Sequence, residues 1–204
     1  MIHIVDYGLG NIGAFLTLYD RLGIAAKPVS DPAGLQDATR ILLPGVGAFD
    51  YAMDLLDGSG LRVALDELVL ERGVPVLGVC VGMQIMTEGS DEGRRAGLGW
   101  IPGRARSFES RNPPTPDIPL PHMGWNDLVP NPDSALFAGI ADPRFYFLHS
   151  YYVEPASNDH WAASSNYSFD FACAIHRDNI WGVQFHPEKS HHFGAALLKN
   201  FSEI

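Results

Sequence analysis

The chain has 204 residues, a formal net charge of −10, 46% hydrophobic and 19% charged residues, and only two cysteines. The acidic balance and the lack of a long basic run argue against nucleic acid and against an anionic membrane surface as partners. No apolar run approaches the ~20 residues that span a bilayer, and the N-terminus carries no basic region before an apolar core, so we expect a cytoplasmic protein.

The first half of the chain alternates short apolar runs with stretches of helical periodicity. The runs predict buried strands at 2–6, 25–29, 40–43 and 74–79, and the periodic stretches predict helices at 11–22, 51–56, 61–72 and 83–88. We expect Asn11 to cap the first helix and Gly23 to end it. This alternation predicts an α/β fold with an open, mostly parallel sheet flanked by helices.

A glycine pattern lies between the first strand and the first helix. Gly8, Gly10 and Gly13 match the spacing of a dinucleotide-binding loop. The next strand, however, ends in Lys-Pro-Val-Ser and not in an acid that could hold a ribose. We therefore interpret the glycines as a tight turn with close helix packing, which removes the main argument for a nicotinamide-dependent dehydrogenase.

After Glu92 the pattern changes to short aromatic and β-branched segments that predict a smaller antiparallel addition. Strands are predicted at 97–102, 104–108, 122–129, 144–153, 161–166, 171–176 and 180–185. Residues 110–121 contain five prolines and predict an exposed loop, and a last helix is predicted from 190 to 201. No linker interrupts the chain, so we expect a single domain spanning 1–204.

The strand that ends near residue 79 runs into Gly78-Val79-Cys80-Val81-Gly82. Gly-x-Cys-x-Gly between a strand and a helix is the cysteine form of a nucleophile elbow. The turn is too sharp for side chains on its flanks, and a helix N-terminus favours the thiolate form of Cys80. A buried structural cysteine is the alternative, and the flanking glycines favour the elbow.

A second group of reactive side chains follows the last predicted strand, in Phe185-His186-Pro187-Glu188. His186 and Glu188 are two residues apart, so on an extended backbone they point to the same side. A carboxylate against an imidazole fixes its tautomer and stabilises its cation, which is what a Cys-His-Glu triad requires. His191 and His192 lack any paired Cys/His spacing, so we predict a surface pair and no metal or other cofactor.

Seven segments together resemble the class I (triad) glutamine amidotransferases, most closely the glutaminase subunits of imidazole glycerol phosphate synthases. They are 6–11, 43–49, 78–84, 97–101, 121–126, 149–152 and 182–190, and they span nearly the whole chain. The elbow and the His-Pro-Glu segment are common to the class. The Pro-Gly-Val-Gly turn and His-Met-Gly-Trp-Asn indicate this kind of subunit, and the resemblance implies the flavodoxin-like sheet of the class.

The resemblance also implies residue roles. Cys80 would attack the side-chain amide of glutamine, while His186, oriented by Glu188, would protonate the leaving ammonia and then activate water. The oxyanion hole would comprise Val81 and the turn residues Val46 and Gly47. The residues that would bind glutamine are Gly47, Gln84, Glu92, Ser150 and Tyr151.

In the family, ammonia passes to a cyclase (β/α)₈-barrel subunit in a heterodimer. That partner makes imidazole glycerol phosphate and an aminoimidazole carboxamide ribotide in histidine biosynthesis. The residues implied at this interface are Met123, Trp125, Asn126 and Lys189.

Two segments leave other functions open. Ile12-Gly13-Ala14-Phe15 and 190–194 are closer to paralogous glutaminases that supply ammonia to sugar-modifying synthases. A stand-alone γ-glutamyl hydrolase or cysteine peptidase could use the same scaffold. A binding module with a degenerate site is disfavoured, since all three triad positions are filled.

Overall fold

The computed structural model describes residues 1–110 and 119–204. Within them, eleven strands form one mixed sheet. In chain order the strands are β1 (Ile2–Val5), β2 (Ala26–Val29), β3 (Ile41–Gly45), β4 (Val76–Cys80), β5 (Gly103–Ser107), β6 (His122–Pro130), β7 (Arg144–His149), β8 (Tyr151–Pro155), β9 (Trp161–Asn166), β10 (Asp170–Arg177) and β11 (Ile180–Val183).

The parallel half of the sheet has the strand order β2-β1-β3-β4-β11, and each neighbouring pair in it is parallel. This is the order of flavodoxin-like sheets, so the predicted fold class is confirmed. Strands β1, β3, β4 and β11 are buried along their whole length, as expected for parallel strands covered on both faces. The carboxyl ends of β3, β4 and β11 therefore open at one edge of the sheet.

The helices that accompany this sheet are α1 (Ile12–Arg21), α2 (Phe49–Gly58), α3 (Leu61–Asp66), α4 (Val81–Ile85) and α5 (His191–Glu203). Helix α5 buries Gly194, Leu197, Leu198 and Phe201. Their i, i+3, i+4, i+7 spacing is that of one apolar helical face. The predicted helix at 61–72 continues beyond α3 as a π-helical turn, Glu67–Glu71.

The first glycine loop has the geometry of a tight turn. Gly8 and Gly10 both have φ of +96°, and a Cβ on Gly10 would lie 2.8 Å from Pro44 Cβ. Gly10 therefore lets the loop approach the end of β3. Gly23 ends α1 with φ of +67° as predicted, but the side chain of Asn11 makes no capping hydrogen bond.

The antiparallel part continues from β11 through β10, β9, β6 and β7, and β8 joins β5 to β10. The prediction of a single strand at 144–153 is wrong, because Ser150 interrupts it and separates β7 from β8. Before the break β7 pairs with β6, and after it β8 pairs with β5. The change of partner strand forces the break.

Two other strand predictions need correction. No strand forms at 97–102. Leu98 N donates to Ile85 O at 2.7 Å, and Ile101 N donates to Met86 O at 3.1 Å. These N–H groups therefore bond to carbonyls at the end of α4 and not to a neighbouring strand. The strand predicted at 180–185 ends at Val183. Most of the predicted proline-rich loop lies outside the described residues, at 111–118.

Candidate active site

Cys80 lies at the sharp turn where β4 ends and α4 begins. Its φ of 55° and ψ of −113° are unusual for a residue with a side chain, and such strain concentrates at functional sites. A Cβ on Gly78 would lie 2.7 Å from Gly82 O, and one on Gly82 would lie 1.9 Å from Leu43 O. The elbow geometry predicted from the two glycines is therefore present, and β3 packs directly against it.

His186 and Glu188 lie together beside this cysteine. His186 Nδ1 is 2.9 Å from Glu188 Oε1, and the two side chains are 3% and 2% exposed. Burial lowers the pKa of His186, but hydrogen bonds and charges from Cys80 and Glu188 outweigh it and raise the pKa to about 9. The structure thus brings a sulfur, an imidazole and a carboxylate into one row.

The backbone around this pair differs from the sequence-based expectation. His186 is extended, as the following proline requires. Pro187–Lys189 then form a 3₁₀ turn and do not continue a strand. Glu188 therefore reaches the imidazole by turning back towards it.

The residues expected to form an oxyanion hole flank the sulfur. Val81 begins α4, while Val46 and Gly47 follow the end of β3, where Gly45 is in register with Cys80. A Cβ on Gly45 would lie 2.6 Å from Gly82 N, so only glycine permits this approach. Gly47 has φ of +95°, and nothing lies within 4 Å of a Cβ built on it.

A cavity of about 270 Å³ opens over Cys80 and His186. It is lined by every residue expected to contact glutamine or an oxyanion: Val46, Gly47, Val81, Gln84, Glu92, Ser150 and Tyr151. Glu92 uses one carboxylate oxygen to accept from Phe49 N at 2.8 Å. A larger cleft of about 470 Å³ beside β5, β8 and β10 contains none of the triad residues.

Sequence reasoning missed Gln184, which is fully buried between β11 and His186. Its Nε2 lies 3.8 Å from Cys80 Sγ, and its Oε1 lies 3.1 Å from Gln84 Nε2. Gln84 Nε2 also lies 3.3 Å from Tyr151 O. The two-residue spacing from His186 was the only available signal, since alternate residues of an extended segment share a side.

Two buried histidines next to the cavity were also missed. His149 Nδ1 lies 2.7 Å from Tyr151 O, and His149 Nε2 lies 3.0 Å from His122 Nδ1. Burial lowers the pKa of His149 to about 3 and that of His122 to about 4, so both are neutral near pH 7. Because the carbonyl oxygen of Tyr151 only accepts, neutral His149 carries its proton on Nδ1. His149 Nε2 is then an acceptor, and His122 Nδ1 donates to it.

The residues expected at a partner interface lie mainly on β6, which begins one residue after the cavity-lining Pro121. Met123 is 65% exposed and Trp125 is 38% exposed, and Trp125 stacks on His191 with ring centroids 5.3 Å apart. Lys189 lines the cavity, and its Nζ lies 5.9 Å from the centroid of the Tyr146 ring. Their role at an interface stays a prediction.

Neither a metal site nor a membrane span was found in the described parts of the chain. No group of three or more His, Cys, Asp or Glu side chains there could hold a metal ion. No helix within 1–110 or 119–204 has the length and apolar character needed to cross a bilayer.

The family model for glutamine amidotransferase class-I matches residues 12–204. A protein of Bdellovibrio bacteriovorus named imidazole glycerol phosphate synthase subunit HisH is 56% identical over 205 residues, with 100% of both chains covered. The protein of the same name from Leptospira interrogans is 45% identical, and so is subunit HisH 2 of Pseudomonas aeruginosa, both again with full coverage of both chains.

Solved structures share the fold at low sequence identity. A crystal structure described as a glutamine amidotransferase has a TM-score of 0.77 and 16% identity, covering 99% of this chain and 97% of that one. The glutaminase domain of Trypanosoma brucei CTPS has a TM-score of 0.65 and 15% identity, covering 99% and 93%. At these identities the likeness concerns the fold alone.

Proposed function

Because this chain belongs to the class-I glutamine amidotransferase family, we propose that it hydrolyses L-glutamine to L-glutamate and ammonia. The observation that carries this proposal is that Cys80 and His186 line one cavity while Glu188 holds the imidazole from behind. The cavity lies where the carboxyl ends of parallel strands meet, the usual place for a site in such sheets.

In the first half of the reaction, the Cys80 sulfur attacks the side-chain carbonyl carbon of glutamine and a carbon–sulfur bond forms. His186, which holds a proton in the resting pair, gives it to the departing nitrogen as the carbon–nitrogen bond breaks. Ammonia leaves, and the glutamyl group remains on Cys80 as a thioester. Glu188 holds the imidazole from behind and stabilises its cation.

In the second half, His186 takes a proton from a water molecule that attacks the thioester carbon. The carbon–sulfur bond then breaks and glutamate leaves, which returns the sulfur and the imidazole to their first state. Each tetrahedral intermediate carries a negative oxygen that would accept from Val81 N–H and from the turn at Val46 and Gly47. One such donor contributes about 10²–10³ in rate.

Glutamine itself would be held by Gly47, Gln84, Glu92, Ser150 and Tyr151. The second carboxylate oxygen of Glu92 suits the α-ammonium group, because opposite charges attract strongly where water is partly excluded. The backbone near Ser150 suits the α-carboxylate. All of these residues line the same cavity as Cys80, which supports the assignment.

We further propose that this chain is the glutaminase subunit of an imidazole glycerol phosphate synthase. The names of relatives at 41–56% identity support this. Its ammonia would pass to a cyclase (β/α)₈-barrel subunit that makes imidazole glycerol phosphate and an aminoimidazole carboxamide ribotide. The exposed side chains of Met123 and Trp125, with Asn126 and Lys189, would face that partner, and aromatic residues are enriched at such surfaces.

Two organisational proposals accompany this function. The continuity of the sheet from β2 to β7 supports one domain spanning 1–204. Both cysteines are free and buried, which fits a reducing compartment such as the cytoplasm.

The test is glutamine hydrolysis by Cys80→Ala in the presence of the partner subunit. We expect activity to be lost while the partner still binds. Cys173→Ala is the matched control, because Cys173 is the other cysteine and lies buried in β10, away from the cavity. Normal turnover by Cys80→Ala would refute the proposal, and strong activity on γ-glutamyl peptides without any partner would favour a stand-alone hydrolase.

A further inference from the structure

The carboxamide of Gln184 joins the nucleophile to a residue of the glutamine pocket. Its nitrogen lies 3.8 Å from Cys80 Sγ and its oxygen lies 3.1 Å from Gln84 Nε2. Its backbone N donates to Cys173 O at 2.8 Å, which anchors the segment to β10. Gln184 is 0% exposed, so no water competes for these contacts.

The carbonyl of Tyr151 determines how the carboxamides of Gln84 and Gln184 are oriented. Tyr151 O is a backbone carbonyl and can only accept, so Gln84 must turn its NH₂ group towards it. The same nitrogen of Gln84 contacts Gln184, which must therefore present its oxygen. The NH₂ group of Gln184 is then left to point at the sulfur of Cys80.

We propose that Gln184 is a further catalytic residue, which donates an N–H to the Cys80 thiolate and holds Gln84 with its carboxamide oxygen towards the ligand. This inference rests on the proposed glutaminase function. Both N–H groups of Gln84 are already used, so its oxygen is the atom that it can offer to an N–H of bound glutamine.

The contribution of Gln184 follows from the charge that forms on the sulfur. With the proton held on His186, the sulfur is negative in a site where Cys80 is only 5% exposed. A hydrogen bond to the charged form of a group favours that form. Gln184 keeps its proton throughout and breaks no bond, so it stabilises the thiolate without taking part in proton transfer.

Other titratable groups also face this sulfur. His186 follows β11, and Tyr7 follows β1; burial and then the charge of Cys80 raise the pKa of Tyr7. Further titratable residues line the cavity: Glu92, His149, Tyr151 and Lys189. The experiment leaves all of them in place and changes only Gln184.

The experiment measures the rate at which iodoacetamide alkylates Cys80 across a range of pH in the full-length chain. Gln184→Glu keeps the shape and the bond from Gln84 but replaces the donor by a negative charge. It should move the pH profile of alkylation upwards and slow the reaction near neutral pH about tenfold. Gln36→Glu makes the same charge change at an exposed residue and should leave the profile unchanged.

If the buried charge of Gln184→Glu prevents folding, which circular dichroism would reveal, a second variant tests the same proposal. Gln184→Met removes the donor with little change in volume and adds no charge. It should still shift the profile upwards by a smaller amount, and it should raise KM for glutamine because Gln84 loses its partner. A folded Gln184→Met variant with the wild-type alkylation profile would overturn the inference.

Alkylation needs no glutamine, so the two proposals can fail separately. A wild-type chain that alkylates as expected but does not hydrolyse glutamine with its partner would refute the proposed function alone. A wild-type chain that hydrolyses glutamine, beside a Gln184→Met variant with unchanged alkylation, would refute the role of Gln184 alone.

Discussion

Replacing His186 with glutamine should reduce the dependence of folding stability on pH between about 6.5 and 9. In the native protein, burial lowers the pKa of His186, but hydrogen bonds and charges from Cys80 and Glu188 raise it from 6.5 to about 9. A group with a raised native pKa stabilises the fold fully below its unfolded pKa of 6.5. That stabilisation is lost as pH rises through 9.

The size of the effect follows from the same shift. The rise from 6.5 to about 9 is multiplied by about 1.4 kcal/mol for each unit of pKa. The product is about 3 to 4 kcal/mol in the free energy of unfolding, of which about 3 kcal/mol falls between about pH 6 and about pH 9.5. The side chain is only 3% exposed, so screening by solvent and salt reduces this value little.

Urea unfolding at about pH 6 and about pH 9.5 would measure the effect. The free energy of unfolding should fall by about 3 kcal/mol more in the wild type than in His186→Gln over that interval. His192→Gln, an exposed histidine on α5, should retain the wild-type dependence. Equal losses in the wild type and His186→Gln would show that His186 gains no proton-linked stability in the fold.

Two further predictions concern packing and the partner surface. Gly82→Ala should lower the free energy of unfolding by at least about 2 kcal/mol, since its Cβ would lie 1.9 Å from Leu43 O. Gly13→Ala, in α1 with nothing within 4 Å, should raise it by about 0.5–1 kcal/mol; similar thermal melts for the two variants would contradict this. Trp125→Ala should weaken binding of the cyclase subunit about tenfold or more in a calorimetric titration. Val129→Ala, on the same strand and 71% exposed, should leave it unchanged, and equal losses of affinity would refute a specific role for Trp125.

The parallel half of the fold was predictable because its determinants are local. Short apolar runs separated by helical periodicity specify parallel strands, and the observed strand order agrees with them. The elbow was predictable for a similar reason. Gly78 and Gly82 flank Cys80 within five residues, and each has a neighbouring backbone where a Cβ would otherwise lie.

The errors arose where tertiary contacts decide local structure. The aromatic run through Ser150 has uniform strand propensity, yet its two halves pair with different strands. Residues 97–102 are rich in apolar side chains, but their N–H groups bond to the carbonyls at the end of α4. Propensity alone cannot anticipate a partner that lies elsewhere in the fold.

The role of Gln184 could not be predicted because its contacts are distant in the sequence. Its contact with Cys80 joins residues that are 104 positions apart, and its contact with Gln84 joins residues that are 100 positions apart. Glutamine is a common polar residue, and its two-residue spacing from His186 indicates a shared side but not which partners its amide contacts. Only the packing of β11 beside β4 brings the three side chains together.

The position of β11 has a consequence for the order in which the protein matures during synthesis. This strand follows all the other described strands in the sequence, yet it lies inside the sheet between β4 and β10. A ribosome-bound chain that lacks it has Cys80 but neither His186 nor Glu188, and it has an unfilled gap in the middle of the sheet. Newly made chains should therefore release no ammonia until the C-terminal segment has left the ribosome exit tunnel and inserted.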